Sequence, residues 1–197
     1  MVIAVDLSGR RSENDLSQLA AFPHLEELNL RSTYFRDLSP LANLKHLKNL
    51  YLELTPVSDL SPLANLRELQ ELDLSSTQVS DLSPLANSKN LKTLYLYGTP
   101  VSDLSPLADL QNLMLLNLNR TQVSDLSPLV NLKKLRKLNL FYTQVSDLSP
   151  LAHVKTLKIL YLDGTPTSAE QINQFRKALP DCNINLTDRD APDYPSG

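Results

Sequence analysis

Leucines punctuate this chain at a fixed interval. Leu25, Leu47, Leu69, Leu91, Leu113, Leu135 and Leu157 stand 22 residues apart with no insertion. Each opens the pattern LxxLxLxxT, and the unit LxxLxLxxTxVSDLSPLANLKN is nearly complete from Leu69 to Asn90 and from Leu91 to Asn112. The fourth and sixth positions read as a strand, because side chains two apart share one face of an extended chain. Leu28 and Leu30, Leu50 and Leu52, and their successors are therefore predicted to point inward, and the third, fifth and seventh positions outward. After each strand a Ser-Pro pair recurs, at Ser39-Pro40, Ser61-Pro62, Ser83-Pro84, Ser105-Pro106, Ser127-Pro128 and Ser149-Pro150. It reads as a cap residue with a proline in the first helical position. So few residues remain in the unit that a single 3₁₀-like turn is predicted there.

A long amphipathic helix is the rival explanation of so many leucines, but a proline in every unit would break it repeatedly. A solenoid is the better reading. One coil of 22 residues cannot cover its own leucine side, so stacked copies bury one another's core. Equivalent side chains then form columns about 4.8 Å apart.

The ends depart from the repeat. Val5, Leu7, Asp15, Leu16 and Leu19 fit a modified first coil with one extra residue within Gly9 to Asn14. Ser168 with Gln171 three residues later has the form of a capping box, and Ile172, Phe175 and Leu179 fall on one helical face. A true helix is predicted from Ala169 to Leu179, followed by one more strand register through Leu179, Cys182 and Ile184. The expected divisions are a modified coil over 1–24, seven repeats over 25–167, a helix-plus-strand cap over 168–186 and a disordered tail over 187–197. Eight roughly parallel strands are expected on the concave side.

The repeat resembles the bacterial 22-residue leucine-rich repeats typified by the internalins, from Val5 to Leu186. That resemblance implies an α/β leucine-rich-repeat solenoid with a concave parallel sheet, short 3₁₀ turns on the convex side and a C-terminal capping helix. It also marks a departure. Thr33, Thr55, Thr77, Thr99, Thr121, Thr143 and Thr165 stand where the family usually has asparagine. In the family that asparagine ladder bonds backbone groups of adjacent coils, and a threonine hydroxyl can also donate and accept, with less reach. The invasion function of internalins does not follow from a shared fold.

Charge narrows the partner class. Nineteen Lys and Arg against 22 Asp and Glu leave a formal charge of −3, which supplies no footprint for nucleic acid or an anionic membrane. The opening MVIAVDLSGRR has neither the charge order nor the apolar length of a signal peptide, and a single cysteine, Cys182, fits a reducing compartment. A cytoplasmic monomer is expected, while secretion as an effector and membership of a longer chain stay compatible with these residues.

Candidate chemistry is sparse. Asp37, Asp59, Asp81, Asp103, Asp125 and Asp147 form a column that suggests calcium, but the loops lack the 6–8 oxygens such an ion takes, and an Asx-type turn explains it better. His24 and His46 are equivalent residues of neighbouring coils with no cysteine or third histidine to complete a zinc set. Glu27, Glu53, Glu71 and Asp73 read as a solvated acidic face rather than a hydrolytic pair. No nucleophile-and-base motif or phosphate loop is present, so no enzyme activity and no cofactor are expected. The outward strand positions are more informative, since the core does not dictate them. Acids gather on the first coils, while Tyr95, Tyr97, Leu115, Phe141, Ile159 and Tyr161, with Tyr142 near the strand end, gather on the later ones. Cross-strand packing alone can account for such rings. A tyrosine-rich apolar patch on an open sheet is also the pattern of an interaction surface, with Asn117, Asn119 and Asn139 between the rings to fix orientation. The sequence thus predicts a protein-binding module. The alternative is a regulatory subunit of a partner enzyme, as in eukaryotic phosphatase regulators with similar repeats.

Overall fold

The computed structural model describes residues 3–10 and 16–186. The disordered tail expected over 187–197, and Asp15 with most of the extra residues of the first coil, lie outside that range. Among the described residues nine strands form a single parallel sheet in sequence order: β1 (Ala4–Asp6), β2 (Glu27–Asn29), β3 (Asn49–Tyr51), β4 (Glu71–Asp73), β5 (Thr93–Tyr95), β6 (Leu115–Asn117), β7 (Lys137–Asn139), β8 (Ile159–Tyr161) and β9 (Asn183–Asn185). The strand expected after the terminal helix is present as β9, with Ile184 beside Leu160, and it brings the total to nine where eight were expected. Every neighbouring pair of repeats is in register, as Leu28 beside Leu50 and Leu50 beside Leu72. The repeat length enforces this, since a slip of one residue would turn the leucines to water.

Between strands the chain crosses the convex side in short 3₁₀ turns such as Ser61–Leu63 and Ser105–Leu107, with the proline inside the first turn. The serine is not the cap. Leucine holds that position, and each aspartate two residues before the serine closes the turn instead: Asp59 Oδ1 accepts from the Ser61 N–H at 2.8 Å and Oδ2 from its hydroxyl at 2.8 Å. The same pair of bonds recurs from Asp37 to Asp147. These hydrogen bonds hold Asp59, Asp103 and Asp125 below the ordinary carboxylate range. The aspartate column is thus part of the coil's frame.

Inside, the seven apolar positions of each coil stack into columns; Leu69, Leu72, Leu74, Val79, Leu82 and Leu85 are all buried. Ser88 takes the seventh place in that coil and is buried as well. The threonine column works within its own coil. Each hydroxyl donates to the carbonyl three residues before it, as Thr77 to Leu74 at 2.7 Å and Thr121 to Leu118 at 2.7 Å. At this position the short hydroxyl stays within its coil, whereas Thr156 and Thr167 donate to the Leu135 and Val145 carbonyls of the preceding coil at 2.8 and 3.0 Å.

The C-terminal helix, α1 (Ala169–Ala178), closes the stack by placing Phe175 and Leu179 over the last coil, with Ile172 partly buried beside them. Ser168 Oγ accepts from the Gln171 N–H at 3.2 Å, the forward half of a capping box. Gln171 does not return the bond; its Oε1 accepts from the Leu148 N–H of the preceding coil at 3.1 Å, tying α1 to the array. Cys182 is buried in the last coil, and that burial pushes its thiol up to about 11.

Candidate functional site

On the concave face, the ladder bonds use the sixth and eighth N–H groups of each coil, as Leu118 to the Asn139 carbonyl and Arg120 to the Phe141 carbonyl. The seventh N–H is left for a side chain. Where the fifth position is Asn or Asp, its Oδ1 turns back to accept that N–H: Asn29 from Arg31, Asp73 from Ser75, Asn117 from Asn119 and Asn139 from Phe141, at 2.9 to 3.1 Å. The fifth-position asparagines, expected to stand open for a partner, are therefore strand-end caps. Asn117 and Asn139 are 2% and 3% exposed, and Asn119 is buried too. Two amide atoms remain without a hydrogen bond, Asn119 Oδ1 and Asn139 Nδ2.

The aromatic residues divide into two groups. Phe141 is fully buried at 0% exposure and Tyr161 at 5%, their rings packed edge to face at a centroid distance of 5.3 Å. Both were expected at the centre of an exposed patch. Strand spacing near 4.8 Å on an inward-curving face crowds large side chains together, so two rings on adjacent coils cover each other. Tyr95, Tyr97, Leu115 and Ile159 stay half-buried, and Tyr142 is 41% exposed. The accessible surface thus centres on β5 and β6 and on the turn after β7, not on Phe141 and Tyr161.

The turns after β2 to β8 each contain a residue with positive φ: Ser32, Leu54, Ser76, Gly98, Arg120, Tyr142 and Gly164 share the eighth position. Five of these seven carry a Cβ in a region that costs such residues about 1 kcal/mol. This column also shapes the rim. Arg120 lies between the Tyr97 and Tyr142 rings, 5.9 and 5.4 Å from their centroids, and the Tyr142 ring lies across Gly164 where a Cβ would overlap it. Exposed Tyr34 and Leu54 border an open groove of about 430 Å³ on the rim of the first coils. Sequence reasoning missed Arg120 and Leu54. Their signal lay in the eighth position, between strand and turn, which a period-two reading of the strand passes over.

The acidic half of the face is organised by one cation. Arg31 Nη2 donates to Asp73 Oδ2 at 3.0 Å, its Nε contacts Glu53 Oε2 at 3.3 Å, and its guanidinium lies 4.3 Å from the Tyr51 ring centroid. The Nε contact lacks the alignment of a hydrogen bond. Burial, followed by the charge of Asp73, raises Glu53 and Glu71 above the ordinary glutamate range despite Arg31. These carboxylates are thus partly desolvated and partly neutralised, not simply solvated. On the outer side, His24 and His46 sit with ring centroids 5.4 Å apart and His46 Nδ1 is 3.4 Å from Glu68 Oε1. Among the described residues no group of three or more His, Cys, Asp or Glu is arranged to hold a metal.

Between the acidic and aromatic regions lies a small cavity of about 100 Å³, lined by Tyr95, Leu115, Leu116, Asn117, Lys137 and Asn139. Lys137 Nζ rests 5.1 Å from the centroid of the Tyr161 ring. Tyr95 is raised above the ordinary phenol range by burial and then by the charge of Glu71, which keeps its hydroxyl protonated.

The family model for leucine-rich repeats (two copies) matches residues 23–65, 67–109, 89–131 and 111–153. No curated protein matches the chain. Among solved structures, internalin C2 of Listeria monocytogenes superposes with a TM-score of 0.83 and 33% identity, over 93% of this chain and 80% of that one. An internalin, InlF, of the same organism gives 0.78 and 28%, over 94% and 67%. The leucine-rich-repeat protein LIC12759 of Leptospira interrogans gives 0.67 and 22%, over 92% and 60%, a likeness of fold alone. With its unbroken 22-residue period, leucine columns and in-register parallel sheet, the chain belongs to the leucine-rich-repeat family and has internalin-like repeats.

Proposed function

We propose that this protein is a binding module that seats a partner protein on the concave face of its later coils. Leucine-rich repeats form scaffolds of this kind, and the observation that carries the location is the half-buried group Tyr95, Tyr97, Leu115 and Ile159 with exposed Tyr142. No core requirement dictates these residues, yet they bring apolar area and hydroxyls to one side of the sheet. Phe141 and Tyr161 support the patch from beneath by fixing Tyr142 and Lys137, while Asn117 and Asn119 hold the strand end in shape. Glu27, Glu53 and Glu71 steer the approach of the partner, acting on association rate and salt dependence more than on final affinity.

The test begins with affinity capture and mass spectrometry on the whole chain. Binding of the captured protein is then measured for Tyr97→Ala, Tyr142→Ala and Leu115→Ala beside the convex control Lys89→Ala. At least one concave variant is expected to weaken binding by about 2 kcal/mol with the control unchanged. Equal affinity for all four moves the site to the convex turns.

A further inference from the structure

The cavity beneath Tyr95 combines three features that share one chemistry. Lys137 pairs with no carboxylate among the described residues; its ammonium group lies against the Tyr161 ring. Asn139, 97% removed from solvent by its 3% exposure, has its Oδ1 committed to the Phe141 N–H, which fixes Nδ2 as the atom left without a partner. Tyr95 lines the same cavity, and its phenol is held in the protonated form. A lysine, a tyrosine and an asparagine with a spare buried N–H line about 100 Å³, and this residue set fits a group that only accepts hydrogen bonds and carries negative charge. Leu115 and Leu116 supply apolar wall for a short hydrocarbon stem.

We infer that this cavity receives the carboxylate of a glutamate or aspartate side chain from the partner protein, with Lys137 as its counter-ion and Asn139 Nδ2 as a hydrogen-bond donor. The inference rests on the proposed concave-face function and adds the chemistry of the partner's anchoring residue. A backbone carbonyl or a neutral amide would leave the Lys137 charge unanswered in a half-buried place. The acids at the other end of the face do not prevent entry. Glu71 is three strands from Lys137 in the third-position column, roughly 14 Å, so its charge acts at the Tyr95 edge of the cavity and not beside the Lys137 ammonium. Asp73 is already paired with Arg31.

The experiment titrates the 197-residue chain, labelled with ¹⁵N, with N-acetyl-glutamate N-methylamide and with its glutamine counterpart. The Asn139 side-chain amide signals are followed. The charged probe is expected to shift them saturably and to bind at least about tenfold more tightly than the neutral one, as for a charge-assisted hydrogen bond. Lys137→Met, which keeps the stem over Tyr161, should bring that ratio close to one. Asn139→Asp, which keeps the cap on Phe141 but removes the donor and its amide signals, is followed through the backbone amides of Leu116 and Leu138 and should weaken the charged probe as well. Equal binding of the two probes, no saturable shift, or a ratio unchanged in Lys137→Met overturns the inference. A captured partner that depends on Tyr97 or Leu115 but binds Lys137→Met normally overturns it while leaving the proposed function in place; a partner bound only through the convex side overturns both.

Discussion

Phe141→Ala separates a contact residue from a supporting one. Its ring has 0% exposure and packs edge to face on Tyr161 at 5.3 Å, with Tyr142 at 6.4 Å. Removing a buried phenylalanine costs about 3–5 kcal/mol, of which an aromatic pair supplies roughly 1. The lower end applies here, because Phe141 lies on the sheet face where neighbours can collapse onto the gap, so about 3 kcal/mol is expected. For a chain of this size that lowers Tm by roughly 6–12 °C. Tyr97→Ala removes a half-buried ring and should cost about 1 kcal/mol or less. Urea unfolding followed by circular dichroism measures both, with Phe141→Leu as a near-volume control expected to recover most of the loss. Since each coil is stabilised by its neighbours, Phe141→Ala should also loosen the last coils first, seen as early hydrogen exchange in β7 to β9. Coincident midpoints for Phe141→Ala and Tyr97→Ala would refute the reasoning and return Phe141 to the open face.

Ser88 is buried in a column otherwise held by Leu44, Leu66, Leu110, Leu132 and Val154, and Ser88→Leu should raise stability by on the order of 1 kcal/mol; a lowered melting temperature would count against available space in that coil. Gly164 has φ of +68° and the Tyr142 ring lies across it, so Gly164→Ala should cost about 1 kcal/mol or more and free the ring, read as increased solvent quenching of Tyr142 fluorescence in a chain with its other tyrosines replaced. Cys182 should react with a disulfide reagent at pH 8 only as fast as the chain opens, because burial keeps the thiol protonated up to about 11. Its raised folded pKa also sets the sign of its pH effect. The native state holds the proton more tightly, so this contribution to stability is full below the ordinary value of 9 and is lost as pH rises towards 11; a Cys182→Ala chain should lack that part of the alkaline decline.

The repeat determined most of the architecture by itself. A proline in every unit rules out long helices, LxxLxL allows one strand register, and an unbroken period of 22 leaves each leucine only its own column to occupy. Ser168, Ile172 and Phe175 likewise announced α1, because a helix cap and a 3.6-residue period are local signals. Exposure on the concave face was a different matter. The rule that alternate side chains face outward correctly put Phe141 and Tyr161 on the sheet surface, but whether such a ring meets water depends on the neighbouring coils and on curvature, which bring together residues 20 or more apart in sequence. The asparagines show the same limit, since the seventh N–H they cap is unpaired only because of the ladder between coils. Arg31 reaching Asp73 across two repeats, and Lys137 meeting Tyr95 and Asn139 around one cavity, follow from stacking. Local sequence fixes the direction of a side chain, whereas burial and charge pairing are sums over neighbours that only the folded stack supplies.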